Sequence, residues 1–253
     1  TRYIGDWSSD VCSSDLAGPV DGFVPNLERL EAALAGYDTV FVCNPNNPTG
    51  QLIPHAGLLH LCRTHPEVRF IIDESYLPFV PAECNHSMSA SGLDNVIVLW
   101  SVSKIFGMPG LRAGFLVANP PVVDRFRRYM QPWCVNSLAQ EAVCFLGANR
   151  EAVARFINDT RIFLDREGDL LRRRLHDSSV TLYPSTTSYV LIGLPEGRTA
   201  TGVCRALAEQ RFLIRNCANF HGLSERYIRI ALKDAATNKA VSNHLLAAVG
   251  REA

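Results

Sequence analysis

Lysine is nearly missing from this sequence: of 25 basic residues only Lys104, Lys233 and Lys239 are lysine, and the rest are arginine. A bias of that kind reflects coding composition, but it makes a lysine in an unusual setting easy to see. Neither sign of charge is in excess, since 25 acidic residues balance the 25 basic ones. Without a basic surplus to meet phosphates, no nucleic-acid partner is expected. No apolar run reaches the ~18–20 residues of a membrane span, and the N-terminus lacks the pattern of a signal peptide, so no membrane partner is expected either. The eight cysteines are scattered with no C-x-x-C pair, and several sit in apolar runs such as FVC and VCFL. They read as buried free thiols of a reducing cytoplasm, neither a disulfide frame nor a zinc site. His55, His60, His65 and His86 form no metal-ligand set. Disorder is excluded by a hydrophobic fraction of 47% against 20% charged.

What is present is the pattern of an α/β protein, long enough for one large domain or two smaller ones. The opening TRYIGDWSSDVCSSDL stands apart, with a near-repeat of Ser-Ser-Asp and no apolar period. It is similar to adapter sequence read as coding, and residues 1–16 are taken as non-native. From Val24 onward, short apolar runs at 39–43, 68–72, 95–100 and 112–118 alternate with helical stretches or long loops. Runs of that kind predict a mainly parallel sheet buried on both faces. Helical sequence dominates 122–176, with a long helix over 138–176 interrupted near Gly147. Short strands then follow at 180–183, 188–193, 212–215 and 226–232, around helices at 199–211 and 235–249. The division expected is a partial large α/β domain over 17–150 and a smaller C-terminal α+β domain over 151–253. Trp133 reads as a packing aromatic.

Lys104 lies in LWSVSKIFGMPGLRAGF, directly after an apolar strand and among small and apolar residues. A desolvated lysine has a lowered pKa and attacks a carbonyl to form a Schiff base. Taken alone, such a residue is more often a lysine snorkelling at a strand end. Its neighbours add to it: Ser101 three residues before and Arg112 eight after, with glycines between, suit a phosphate. Asp73, in IIDESY, ends another strand, and ligands of open α/β sheets bind outside the carboxyl ends of strands. Tyr76 offers a phenol, and Asn47, in the turn-forming NPNNPTG, an amide. An amine, a phosphate cradle, a carboxylate for a ring nitrogen and a donor for a ring oxygen match one cofactor, pyridoxal 5′-phosphate.

NPNNPTG, DESY, SVSK and PGLRAGF resemble the successive motifs of the fold-type I pyridoxal-phosphate enzymes, the class I/II aminotransferase family, over about residues 21–248. The resemblance implies a three-layer large domain and a homodimer in the full-length protein. It also assigns roles. Lys104 carries the cofactor and shuttles the proton, and Asp73 pairs with the ring nitrogen. Tyr76 and Asn47 meet the ring oxygen, while Ser101 and Arg112 hold the phosphate. YIRIAL resembles the strand bearing the family's carboxylate-binding arginine, here Arg229, and guanidinium suits a carboxylate because it binds in a bidentate fork.

Two stretches narrow the branch. MQPWCVNSLAQ (130–140) resembles the histidinol-phosphate aminotransferase-like branch. FLIRNCANFHGL (212–223) resembles the L-threonine-O-3-phosphate decarboxylases of cobalamin biosynthesis, which gives Arg215 a substrate phosphate. A small phosphorylated amino acid or amine is the substrate class either way, with decarboxylation the first reading and transamination the alternative. A more remote alternative is the cofactor-binding sensor domain of a regulator. No segment before Asn44 supplies the family's Gly-rich phosphate turn or ring-stacking aromatic. The 253 residues as written are therefore expected to hold the cofactor poorly.

Overall fold

The computed structural model describes residues 17–220 and 222–250, so the segment read as non-native lies outside the described residues. The chain divides into two compact units. One comprises Leu27–Asn46 and Leu52–Arg161; the other gathers the described residues of Thr1–Asn26, Asn47–Gln51 and Ile162–Ala253. The division falls inside one helix, between Arg161 and Ile162, and the second unit takes in residues from the N-terminal side of the sequence as well.

The first unit is built on a four-stranded sheet in the order β1 (Thr39–Cys43), β2 (Arg69–Asp73), β3 (Val96–Ser101) and β4 (Gly114–Val117). β1, β2 and β3 are parallel; β4 runs antiparallel to β3. Parallel neighbours need a crossover, and α2 (His55–Thr64) supplies the one between β1 and β2. Val40, Val42, Phe70, Ile72, Val96, Ile97 and Val98 form the buried rows. Consecutive burial of Val96, Ile97 and Val98 on β3 covers the middle of the sheet on both faces, as expected, while the edge strands are more open. Phe41 on β1 and Phe115 and Val117 on β4 are each 42% exposed. A continuous apolar run does not reveal whether one face or both will be covered, because the strand period only says which residues share a face.

α1 (Leu27–Ala33) is tied to the end of α2 by His65, whose Nε2 lies 3.1 Å from Glu31 Oε1 and Nδ1 3.3 Å from Glu67 Oε1. The hydrogen bond to Glu31, helped by Glu67, holds the imidazole above its ordinary pKa of 6.5. A raised folded-state pKa gives stability that is fully present below the unfolded value and lost as pH rises through the folded one. The melting temperature of the wild type should therefore exceed that of His65→Gln below about pH 6. The gap should close as pH rises above neutrality, and a gap independent of pH would contradict this.

α3 (Pro120–Arg127) begins at Asn119, whose side chain accepts from Val122 N. The predicted long helix is two helices, α4 (Ser137–Ala148) and α5 (Arg150–Leu175), parted at Asn149, two residues beyond Gly147. Trp133, expected to pack, is instead 97% exposed with a left-handed φ of 64°.

The second unit holds the antiparallel sheet β5 (Thr181–Leu182), β6 (Tyr189–Gly193), β8 (Tyr227–Ala231) and β7 (Arg215–Asn216), in that order. With it go α6 (Ala200–Glu209) and α7 (Ala235–Gly250). Val190, Ile192, Ile228 and Ile230 pack with Leu171, Leu175, Val203, Leu207, Val241 and Leu245 into one core. Of the strand expected over 212–215 only Arg215 pairs, and Leu213 is exposed. Residues 211–214 are used in leaving α6: Arg211 takes a left-handed φ of 66° and Phe212 N donates to Leu207 O.

The described cysteines are all unpaired, as expected, but not all buried. Cys62 and Cys217 are, whereas Cys84, Cys134 and Cys144 are exposed. Cys144 lies in the apolar VCFL run, on a face of α4 that the described residues leave open.

Candidate functional site

The three parallel strands end together. Cys43 pairs in register with Asp73, Asp73 with Leu99, and Ser101 with Gly114 of the antiparallel β4. Asp73, Ser101 and the residues that follow each strand thus share the carboxyl end of the sheet, where open α/β sheets bind ligands. Arg112 precedes β4 and reaches the same end, because β4 starts where β3 stops.

Asp73 is half-buried, and its Oδ1 accepts from Ser75 N at 2.9 Å. That bond turns the chain sharply after β2. A carboxylate has about four acceptor sites, so capacity remains for a ligand. Tyr76 follows at the start of a 3₁₀ turn, Leu77–Phe79, whose three residues are buried. Its ring lies 5.7 Å from Lys104 Nζ. Lys104 itself is exposed, which corrects the expectation of a desolvated amine. Ile105 beside it is buried and holds the loop, while the amine of Lys104 reaches over the Tyr76 ring. Ser101 Oγ accepts from Ser103 N at 3.1 Å, so the residues after β3 wrap the hydroxyl. Arg112 takes a left-handed φ of 55°, and its Nη1 donates to Pro109 O at 3.1 Å. Gly107 and Gly110 have nothing within 4 Å of where a Cβ would stand, so the loop is open enough for a ligand to approach its backbone.

Glu74 escaped notice in the sequence. It is buried at 2% exposure and accepts from Ser87 Oγ at 2.5 Å and Met88 N at 2.7 Å. Burial pushes its carboxyl above the usual range, and those two hydrogen bonds oppose the shift. It anchors the segment at Ser87 and Met88, so of the two neighbouring carboxylates Asp73 is the one with acceptor capacity to spare.

Asn47, Arg215 and Arg229 fall in the other unit. The NPNNPTG loop is closed within the first unit by Asn44, whose side chain donates to Ile53 O at 3.0 Å and accepts from Ile53 N at 2.8 Å. Within the second unit Gly50 has a φ of 72° and stands so close to Ser185 that any Cβ would collide. Thr186 N donates to Gly50 O at 2.9 Å. Asn47 Oδ1 accepts a short hydrogen bond from Arg229 Nη1.

Arg229, on β8, is half-buried with its guanidinium carbon 4.6 Å from the Tyr189 ring centroid. Directly opposite it on β7 stands Arg215. Arg215 Nη2 donates to Asn219 Oδ1 at 3.0 Å, and its guanidinium lies 5.2 Å from the Phe220 ring centroid. Among the described residues no ion pair involves either arginine. Cys217, fully buried nearby, has its thiol pushed up to about 11 by burial, against the pull of both guanidiniums. It is an inert packing thiol. Tyr189 and Asn219 were not read from the sequence. A ring two residues before Leu191, the strand partner of Arg229, and an amide in a loop carry no sequence signal of an arginine partner.

The five groups of the first unit fit pyridoxal 5′-phosphate by type and placement: an accessible amine, a carboxylate with spare acceptor capacity, a phenol, a hydroxyl and a guanidinium, all at one end of a sheet.

A family model described as aminotransferase class I and II matches residues 13–249. Threonine-phosphate decarboxylase of Salmonella typhimurium is 35% identical over 225 residues, covering 87% of this chain and 60% of that protein. Histidinol-phosphate aminotransferase of Methanocaldococcus jannaschii is 30% identical over 200 residues, covering 76% and 50%. The crystal structure of L-threonine-O-3-phosphate decarboxylase from Porphyromonas gingivalis superposes with a TM-score of 0.78 at 32% identity, covering 86% of this chain and 66% of that one. The chain thus spans about half to two thirds of the length of these relatives.

Proposed function

The chain belongs to the aminotransferase class I and II family, and from that premise we propose that it is part of a pyridoxal-phosphate enzyme that decarboxylates L-threonine O-3-phosphate. The observation that carries the choice is the pair of opposed arginines, Arg215 and Arg229, held by neutral partners and rings. Two like charges directly opposite on neighbouring strands repel. An anionic ligand with two charged ends, one carboxylate and one phosphate, relieves that repulsion. The 35% identity to a threonine-phosphate decarboxylase supports the same reading.

Pyridoxal 5′-phosphate, when bound, supplies an aldehyde for the substrate amine and a protonated ring that withdraws electrons from the substrate Cα. The chain's own residues do the rest. Lys104 would hold the cofactor through its amine and would carry a proton at Nζ. Asp73 keeps a proton on the ring nitrogen through its carboxylate, and Tyr76 and Asn47 donate to the ring oxygen. Ser101 and Arg112 bind the cofactor phosphate. Arg229 takes the substrate carboxylate and Arg215 its phosphate, and between them they orient the bond to be broken. The protein acts as a homodimer in the cytoplasm. The unpaired cysteines support a reducing compartment, and the exposed run Tyr129, Met130, Trp133 and Leu138 supports an apolar face covered by a second copy.

Transamination of histidinol phosphate is the second reading, favoured by the 30% identity to an aminotransferase of that substrate. With cofactor supplied in excess, L-threonine O-3-phosphate is expected to release CO2, while histidinol phosphate with 2-oxoglutarate gives no amino transfer. Turnover of the second pair alone would reverse the choice.

A further inference from the structure

We infer that Asn219 sets the preference for a phosphorylated over an unphosphorylated substrate, by holding the Arg215 guanidinium with a neutral oxygen that leaves its charge unspent. The inference rests on the reading in which Arg215 meets the substrate phosphate.

Arg215 is exposed on a two-residue strand, where a long side chain is free to turn into solvent. Two contacts stop it. Asn219 Oδ1 takes one of its five N–H donors at 3.0 Å, and the Phe220 ring lies against its face. Both partners come from the turn that follows. Asn216 Oδ1 accepts from Ala218 N at 2.8 Å and Phe220 N donates to Cys217 O at 3.0 Å, so the chain doubles back and returns residues 219 and 220 to Arg215. The turn is tethered in its own right. Asn216 Nδ2 donates to Thr201 Oγ1 at 3.1 Å, and Glu225 accepts from Thr201 N and Oγ1 at 2.8 and 2.9 Å. Arg229 is held in the same style, by the Asn47 amide oxygen and the Tyr189 ring.

An amide differs from a carboxylate here in one respect that matters. Aspartate has nearly the same shape and would hold the guanidinium more strongly, as a charge-assisted pair. It would also cancel the positive charge and place a negative one beside an arriving phosphate. Asparagine orients the fork and leaves its full charge and four remaining donors for the ligand. Asn219 is thus a positioning residue acting through Arg215.

The test is isothermal titration of the cofactor-loaded protein with L-threonine O-3-phosphate and with L-threonine. Asn219→Ala should weaken binding of the phosphorylated ligand about tenfold, through lost orientation. Asn219→Asp should weaken it further, on the order of a hundredfold, through lost charge. L-Threonine should bind all forms equally, which also reports that the variants fold. In an Arg215→Ala background Asn219→Ala should have no further effect on the phosphorylated ligand, since the amide acts only through that guanidinium. An Asn219→Asp protein that keeps wild-type preference, or one that loses both ligands alike, overturns the inference. If the wild type itself shows no preference for the phosphorylated ligand, the phosphate role of Arg215 fails and the inference falls with it. A preference abolished by Arg215→Ala but untouched at position 219 removes the inference alone.

Discussion

Replacing Lys104 by alanine is expected to abolish the visible absorbance of the cofactor-loaded protein and to lower turnover by about 10⁴-fold or more, since it removes both the covalent anchor and the proton carrier. Lys104→Arg should fail just as completely. A guanidinium keeps the charge and the reach but does not form a Schiff base, and it stays protonated at any pH where the protein is folded. The residue is accessible at the end of the sheet, with Nζ 5.7 Å from the Tyr76 ring centroid. Borohydride reduction of the loaded wild type followed by peptide mass analysis should place the cofactor on the peptide holding Lys104. A label on Lys233 or Lys239, or a band surviving in Lys104→Ala, would contradict the assignment.

Asp73→Asn is expected to reduce kcat by on the order of 10²–10³-fold, the usual cost of losing one preorganised electrostatic contact to a developing charge. The substitution isolates the charge from the geometry. Asparagine at 73 retains an oxygen for Ser75 N, the bond that shapes the turn after β2, so the melting temperature should barely move. Asp73→Ala loses both the charge and the turn, and should lower activity and stability together. A kcat fall of equal size in both variants, with a matching loss of stability in Asp73→Asn, would mean that the carboxylate serves the turn and not the ring nitrogen.

Much of the fold was legible because strand and helix periods are local. The strands ending at Cys43, Asp73 and Ser101 and the helices α6 and α7 were readable within a residue or two from apolar runs and the turn residues between them. Lys104 stood out for a chemical reason: in a chain that writes arginine almost everywhere, a lysine between an apolar strand and a glycine loop fits the proposed Schiff-base role, which arginine cannot fill. Less legible were properties that depend on what lies opposite. The FLIR stretch has strand composition, yet three of its residues are used in leaving α6. Phe41 and Phe115 have core composition and stand half-exposed on edge strands. Lys104 has apolar neighbours in sequence and is an exposed residue in space, its amine over the Tyr76 ring.

By itself the sequence determined the order of the elements, the residue types at the carboxyl end of the parallel strands, and hence the family chemistry. Only the tertiary structure decided which charges meet. Strand pairing sets Arg215 directly opposite Arg229, and the turn after β7 brings Asn219 to one of them while the NPNNPTG loop brings Asn47 to the other. The physical reason is range. Backbone propensity and hydrophobic period act over a few residues and are written along the chain, whereas the contact between Asn47 and Arg229 joins positions far apart in sequence and depends on how the sheet is assembled.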